Sequence, residues 1–135
     1  MSFRNQNMVL LLVRVVLGTT FILHGSQKLF GVLSGPGIDG WLEYLTSLGV
    51  THHVLGYAAA AFEFFGGLMV LTGIGAELGA AAILITMVGA IYLVHGAHGY
   101  FLPNGMEYAL NLGLLCVAII CGGAGTYTLP VSFKK

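Results

Sequence analysis

Four long apolar stretches, residues 8–30, 54–73, 78–99 and 107–123, are separated by short segments rich in glycine, proline and polar residues. A helix needs about 20 apolar residues to cross about 30 Å of hydrocarbon, so all four stretches are predicted as spanning helices. The chain therefore reads as all-α: a single transmembrane domain over 1–135, folded as an integral membrane four-helix bundle. After the first span the segment GVLSGPGIDG, in which Pro36 and four glycines are expected to preclude regular structure, takes the chain out of the hydrocarbon. The next segment, WLEYLTSLG, puts Trp41, Leu42, Leu45 and Leu48 on one helical face and ends at Gly49. It is predicted as a short amphipathic interfacial helix between spans one and two, capped by Asp39. Trp41 and Tyr44 suit the headgroup level, or form a lid over a ligand. Ile74 to Glu77 allows only a tight hairpin, so the third span runs antiparallel to the second. Pro103 and Gly105 in YFLPNG separate the third from the fourth.

Polar residues interrupt these spans in a pattern. The first carries Arg14, His24 and Lys28. At about 100° per residue, Lys28 lies about 40° and His24 about 80° round the helix from Arg14, to the same side. Gly18 and Gly25 fall in or beside that sector, which should face protein, not lipid. The second span holds one charge, Glu63, flanked at helical spacing by Ala59, Gly66 and Gly67. The third offers a small-residue ridge, Ala82, Thr86 and Ala90, then Tyr92, His95 and His98 spaced three apart and so on one face. The fourth opens with Glu107, Tyr108 and Asn111.

Charge distribution orients the bundle. Arg4, Lys134 and Lys135 lie on the side of the termini, and the opposite loops, 31–53 and 100–106, contain no Lys or Arg. Both termini are thus predicted to be cytoplasmic. At about 1.5 Å per residue, His24 then lies about 9 Å, Glu63 about 13 Å and His95 about 6 Å below the outer surface, with Arg14 about 11 Å deeper than Glu63. Every span contributes polar side chains to the outer half; Arg14 can pair with Glu63, and Lys28 or His24 with Glu63 or Glu107.

With 57% hydrophobic and 7% charged residues and a mean hydropathy of +0.92, the chain cannot hide its apolar surface in a small soluble core. The lipid bilayer is its surroundings. A formal charge of zero removes the basic field that a nucleic-acid role needs. The apolar start resembles a signal peptide in position only, because Arg14 interrupts it and no A-x-A-like site follows; the first helix is expected to stay. Cys116 and Cys121, about 140° apart on a helix, read as small apolar helix residues.

The expected site is a semi-enclosed pocket in the outer half, lined by His24, Lys28, Glu63, His95, His98, Glu107, Tyr108 and Asn111, with Arg14 deeper. Three chemistries stay open. A quinone site needs an apolar slot with His, Lys or Tyr donors and a carboxylate-linked proton route. A copper or zinc site would draw on His95 and His98, with His24, His52 or His53 and a carboxylate. The third is a non-catalytic membrane anchor for a soluble partner, the polar groups serving as an interhelical hydrogen-bond network. Small pairs such as Gly75 with Gly79 and Ala82 with Thr86 also permit a homo-oligomer.

The residues Arg14, Gly18, Phe21, His24-Gly25 and Lys28-Leu29-Phe30-Gly31 form a pattern R-x3-G-x2-F-x2-H-G-x2-K-L-F-G that resembles the DoxX family of small membrane proteins. Leu48-Gly49, Glu63 with Gly66-Gly67, and Asn104-Gly105 followed by Glu107-Tyr108 are similar too. The resemblance implies a four-helix membrane bundle in the bacterial inner membrane. By likeness to the DoxD type it also implies a subunit of a quinone-linked oxidoreductase such as thiosulfate:quinone oxidoreductase, with a soluble or membrane redox partner. It carries over Arg14, His24, Lys28, Glu63 and Glu107 as site or structural positions. The tail TYTLP departs from the family's acidic ending.

Overall fold

A computed structural model describes residues 3–130. It is all-α among these residues, with five α-helices: α1 Phe3–Phe30, α2 Gly37–Ser47, α3 His53–Thr72, α4 Ala76–Ala90 and α5 Glu107–Gly122. Helix α4 continues as a π turn, Ile91–His95, and a 3-10 turn, Gly96–His98. Three segments, Asn5–Phe30, His53–Thr72 and Ala76–His98, are long and apolar enough to cross a membrane. The fourth predicted span is shorter: 16 residues of α5 rise about 24 Å, less than the hydrocarbon thickness. Helix α1 starts at Phe3, ahead of the apolar stretch that begins at residue 8. Of the terminal charges used for orientation, Lys134 and Lys135 lie outside the described residues.

Packing follows chain order. Helix α1 packs along α3, α3 along α4 and α4 along α5, while α1 also meets α5 and α2 sits across α1 and α3. Lipid supplies no hydrophobic drive for this, so helices associate by close fit. Glycine supplies it here. A Cβ on Gly25 would lie 2.5 Å from the Phe64 backbone nitrogen, and one on Gly66 would lie 2.9 Å from the Gly79 carbonyl. Gly79 and Thr86 are thereby used within the chain, one against α3 and the other facing its interior. The buried core, which includes Leu17, Phe21, Val70, Ile83, Leu112 and Ile119, fills the space between the four long elements.

Three local expectations are corrected. Asp39 does not cap α2: the helix begins at Gly37 after Pro36, which puts Asp39 in the first turn, where a carboxylate still suits the helix dipole. The glycine-rich segment is consequently half helical, with the irregular part confined to 31–36. Tyr92, His95 and His98 do not share a face, because the π turn closes i→i+5 and three residues no longer return the chain to the same side. Tyr92 and His98 are exposed, whereas His95 is half-buried.

Candidate functional site

Helix α1 presents Phe21, His24 and Lys28 at i, i+3 and i+7, one stripe aimed between α3 and α5. Opposite them, α3 presents Glu63, only 3% exposed. The Lys28 ammonium reaches both Glu63 carboxylate oxygens at 2.5 Å. Of the partners open to Glu63 in the sequence, Lys28 is the one the fold selects. The ammonium also lies 4.5 Å from the centroid of the Trp41 ring, a cation-π contact that adds to the ion pair. The indole N–H donates to the Gly56 carbonyl at 3.0 Å, which locks Trp41 of α2 onto the start of α3. Helix α2 thus covers the pair.

Below this cover is a cavity of about 520 Å³. Trp41, Tyr44 and Leu45 of α2 form its roof, Phe21, His24 and Lys28 one wall, and Ala59, Phe62 and Glu63 another. Thr86, Met87 and Ala90 of α4, Leu93 to His95 of the π turn, and Tyr108, Ala109 and Leu112 of α5 complete it. Most of the lining is apolar. Among the described residues neither the His24 imidazole nor the Tyr108 hydroxyl has a hydrogen-bond partner, and both residues line the cavity. The Thr86 hydroxyl donates to the Ile83 carbonyl instead. His95 donates from Nδ1 to the Asn104 carbonyl at 3.0 Å, which leaves Nε2 of the neutral ring as an acceptor. The π turn carries His95 into this wall, and a π turn is a recurrent device at functional sites.

His24, Lys28, Glu63, His95 and Tyr108 therefore come together as expected. Arg14, Glu107, Asn111 and His98 do not line the cavity. Asn111 is exposed on the outer face of α5, Glu107 sits in the first turn of α5, and His98 Nδ1 is held by the Val94 carbonyl. Arg14 is nearly fully buried toward the opposite end of the bundle, and it does not pair with Glu63, which is taken by Lys28. Its guanidinium donates to four main-chain carbonyls: Val70 at 2.8 Å, Leu71 at 2.9 Å, and Ala124 and Tyr127 at 2.7 Å each. Two of these belong to the last turn of α3, where carbonyls lack intrahelical partners. Arg14 is thus a structural clamp joining α1, the end of α3 and the segment after α5. No group of three or more His, Cys, Asp or Glu side chains that could hold a metal exists among the described residues. Cys116 is buried in the core and Cys121 exposed, both free.

The sequence did not identify Phe21, Thr86 or, in the π turn, Leu93 and Val94 as lining. Trp41 and Tyr44 were legible only as an aromatic pair on an amphipathic helix.

The DoxX family profile matches residues 9–96, which cover α1 to the π turn. A Bacillus subtilis (strain 168) protein named "Putative oxidoreductase CatD" is 31% identical over 84 residues, 62% of this chain and 58% of that protein. The match thus spans well under two thirds of the relative. A Haemophilus influenzae (strain ATCC 51907 / DSM 11121 / KW20 / Rd) protein described as uncharacterized is 28% identical over 131 aligned positions, 91% of this chain and 89% of that protein. No solved structure matches the chain.

Proposed function

Since this chain belongs to the DoxX family of membrane proteins, we propose that it is a redox-associated membrane subunit whose cavity binds a quinone. The observation that carries this reading is the cavity: about 520 Å³ of mostly apolar lining with the Lys28–Glu63 pair, His24, Tyr108 and His95 gathered in its walls. Small-molecule sites have this size and this composition, apolar walls with a few converging polar groups. Glu63 holds the Lys28 ammonium in place, so it is a positioned donor for a ring oxygen. His24 and Tyr108 supply further hydrogen bonds, and His95 Nε2 can take or return a proton. Phe21, Trp41 and Met87 exclude water. A bound quinone would supply two-electron, two-proton carrier chemistry at its ring oxygens. Electrons would come from a redox partner protein, a role in keeping with the name of the B. subtilis relative. The bacterial cytoplasmic membrane, with both termini inside, is the proposed setting, supported by loops 31–53 and 100–106 that hold no Lys or Arg.

Trp41 is the chain's one tryptophan and lines the cavity, so it reports directly on occupancy. Titrating ubiquinone and menaquinone analogues into protein in mild detergent should quench its fluorescence saturably. Organic extraction of the purified protein should yield quinone, and His24→Ala should lose both signals. Neither quenching nor extracted quinone from the unaltered protein would overturn the proposal.

A further inference from the structure

The lining of the cavity is not enclosed on all sides. On α3, Leu55, Ala58, Ala59 and Phe62 border it, and on α4 so do Ile85, Gly89 and the following Leu93, at i, i+4 and i+8. Several of these have a second side turned outward: Leu55 is 58% exposed and Ile85 63%, with Phe62 and Leu93 also exposed. A residue that lines a cavity and is also exposed stands at its lip. The two stripes thus face each other across a fissure between α3 and α4.

Gly89 occupies the waist of that fissure. A Cβ built there would meet nothing within 4 Å, alone among the described glycines within helices. The others lie against a neighbouring atom, which is why glycine is needed for packing at sites such as Gly25 and Gly66. Gly89 serves no such contact. What its missing side chain leaves is an aperture, with Ala58 and Ala59 keeping the opposite lip small as well. It lies within the apolar segment Ala76–His98, about 13 Å from the His98 end, so the aperture faces acyl chains and not water.

We infer that the ligand reaches the cavity sideways from the bilayer, through the α3–α4 fissure held open at Gly89, and that it is a tail-bearing amphiphile. Its polar head lies toward Lys28, Glu63 and His24 and its chain passes out between Phe62 and Ile85. The lips are wholly apolar, which suits an alkyl or isoprenoid chain and offers a short water-soluble molecule no contact. The inference rests on the quinone reading for the head and on the fissure for the chain.

The test compares the unaltered protein with Gly89→Ala and Gly89→Phe, following Trp41 quenching by a quinone with a ten-carbon chain and by the same ring without one. Because the position is open, both variants should fold, which unfolding curves check. The expected result is that Gly89→Phe slows quenching by the chain-bearing quinone at least tenfold, while Gly89→Ala slows it under threefold. Binding of the chainless ring should change under twofold in both. Unchanged kinetics for the chain-bearing quinone in folded Gly89→Phe would overturn the fissure while leaving the quinone reading intact. If the unaltered protein binds neither quinone, the quinone reading fails. The fissure is then judged by a mid-chain brominated fatty acid, whose quenching of Trp41 should fall at least twofold in Gly89→Phe. Equal quenching would overturn it.

Discussion

Breaking the Lys28–Glu63 pair one partner at a time should cost far more than removing both. Glu63 is 3% exposed and the Lys28 side chain 18%, and both carboxylate oxygens accept from the ammonium. Removing one member of a buried pair typically costs about 3–5 kcal/mol, because the survivor is left charged without compensation. Lys28 retains some access to polar surroundings, so Glu63→Gln should fall near about 3 kcal/mol, and Lys28→Met, which strands the more deeply buried carboxylate, near about 4 kcal/mol. The double variant leaves only a neutral amide in an apolar wall, a penalty of about 2 kcal/mol. The singles sum to about 7 kcal/mol against about 2 for the double, a coupling of about 5 kcal/mol. Unfolding titrations with a denaturing detergent on protein held in a mild one measure all four corners of the cycle. Singles costing under about 1 kcal/mol each and adding in the double would refute the inference that the pair is desolvated and mutually dependent. The folded double variant should also fail to bind quinone, separating the pair's role in the site from its role in stability.

Gly25→Leu should destabilise by about 1–3 kcal/mol or more in the same titration, since even a Cβ there must push α1 from α3, while Gly89→Ala should be neutral or stabilising by up to about 1 kcal/mol. Arg14→Met should cost at least about 3 kcal/mol by leaving four carbonyls without their donor, and limited proteolysis should cut after Tyr127 sooner than in the unaltered protein. A membrane-permeant maleimide should label Cys121 before Cys116, whose exposure is 0%, with mass spectrometry giving the order.

The helices were legible because apolar length and glycine-proline breaks are properties of local sequence. So was the meeting of His24, Lys28 and Glu63, because a charged group in an apolar span has to face protein. Two features were not. The three-residue spacing of Tyr92, His95 and His98 implies a shared face only if the turn is α-helical, and the π turn there depends on packing that no spacing reports. Arg14 shares a sector with Lys28 but lies nearly four turns away along α1, and angular projection discards that distance. Its partners are main-chain carbonyls, which every residue carries and no motif can mark. Gly89 carries no signal in the sequence, because the empty space around it is a property of packing.

The Arg14 clamp also sets an order of events during synthesis. Two of its acceptors, Ala124 and Tyr127, are 110 and 113 positions downstream. At about 5–20 residues per second, the guanidinium waits about 6–23 s after its own translation before the ribosome has made these last two acceptors. Val70 and Leu71 come first, 56 and 57 positions downstream, so over that interval the guanidinium has at most half of its final acceptors. Closure of this end of the bundle therefore waits for the segment after α5, and until it arrives water, the translocation machinery or headgroups have to complete the hydrogen bonding of Arg14.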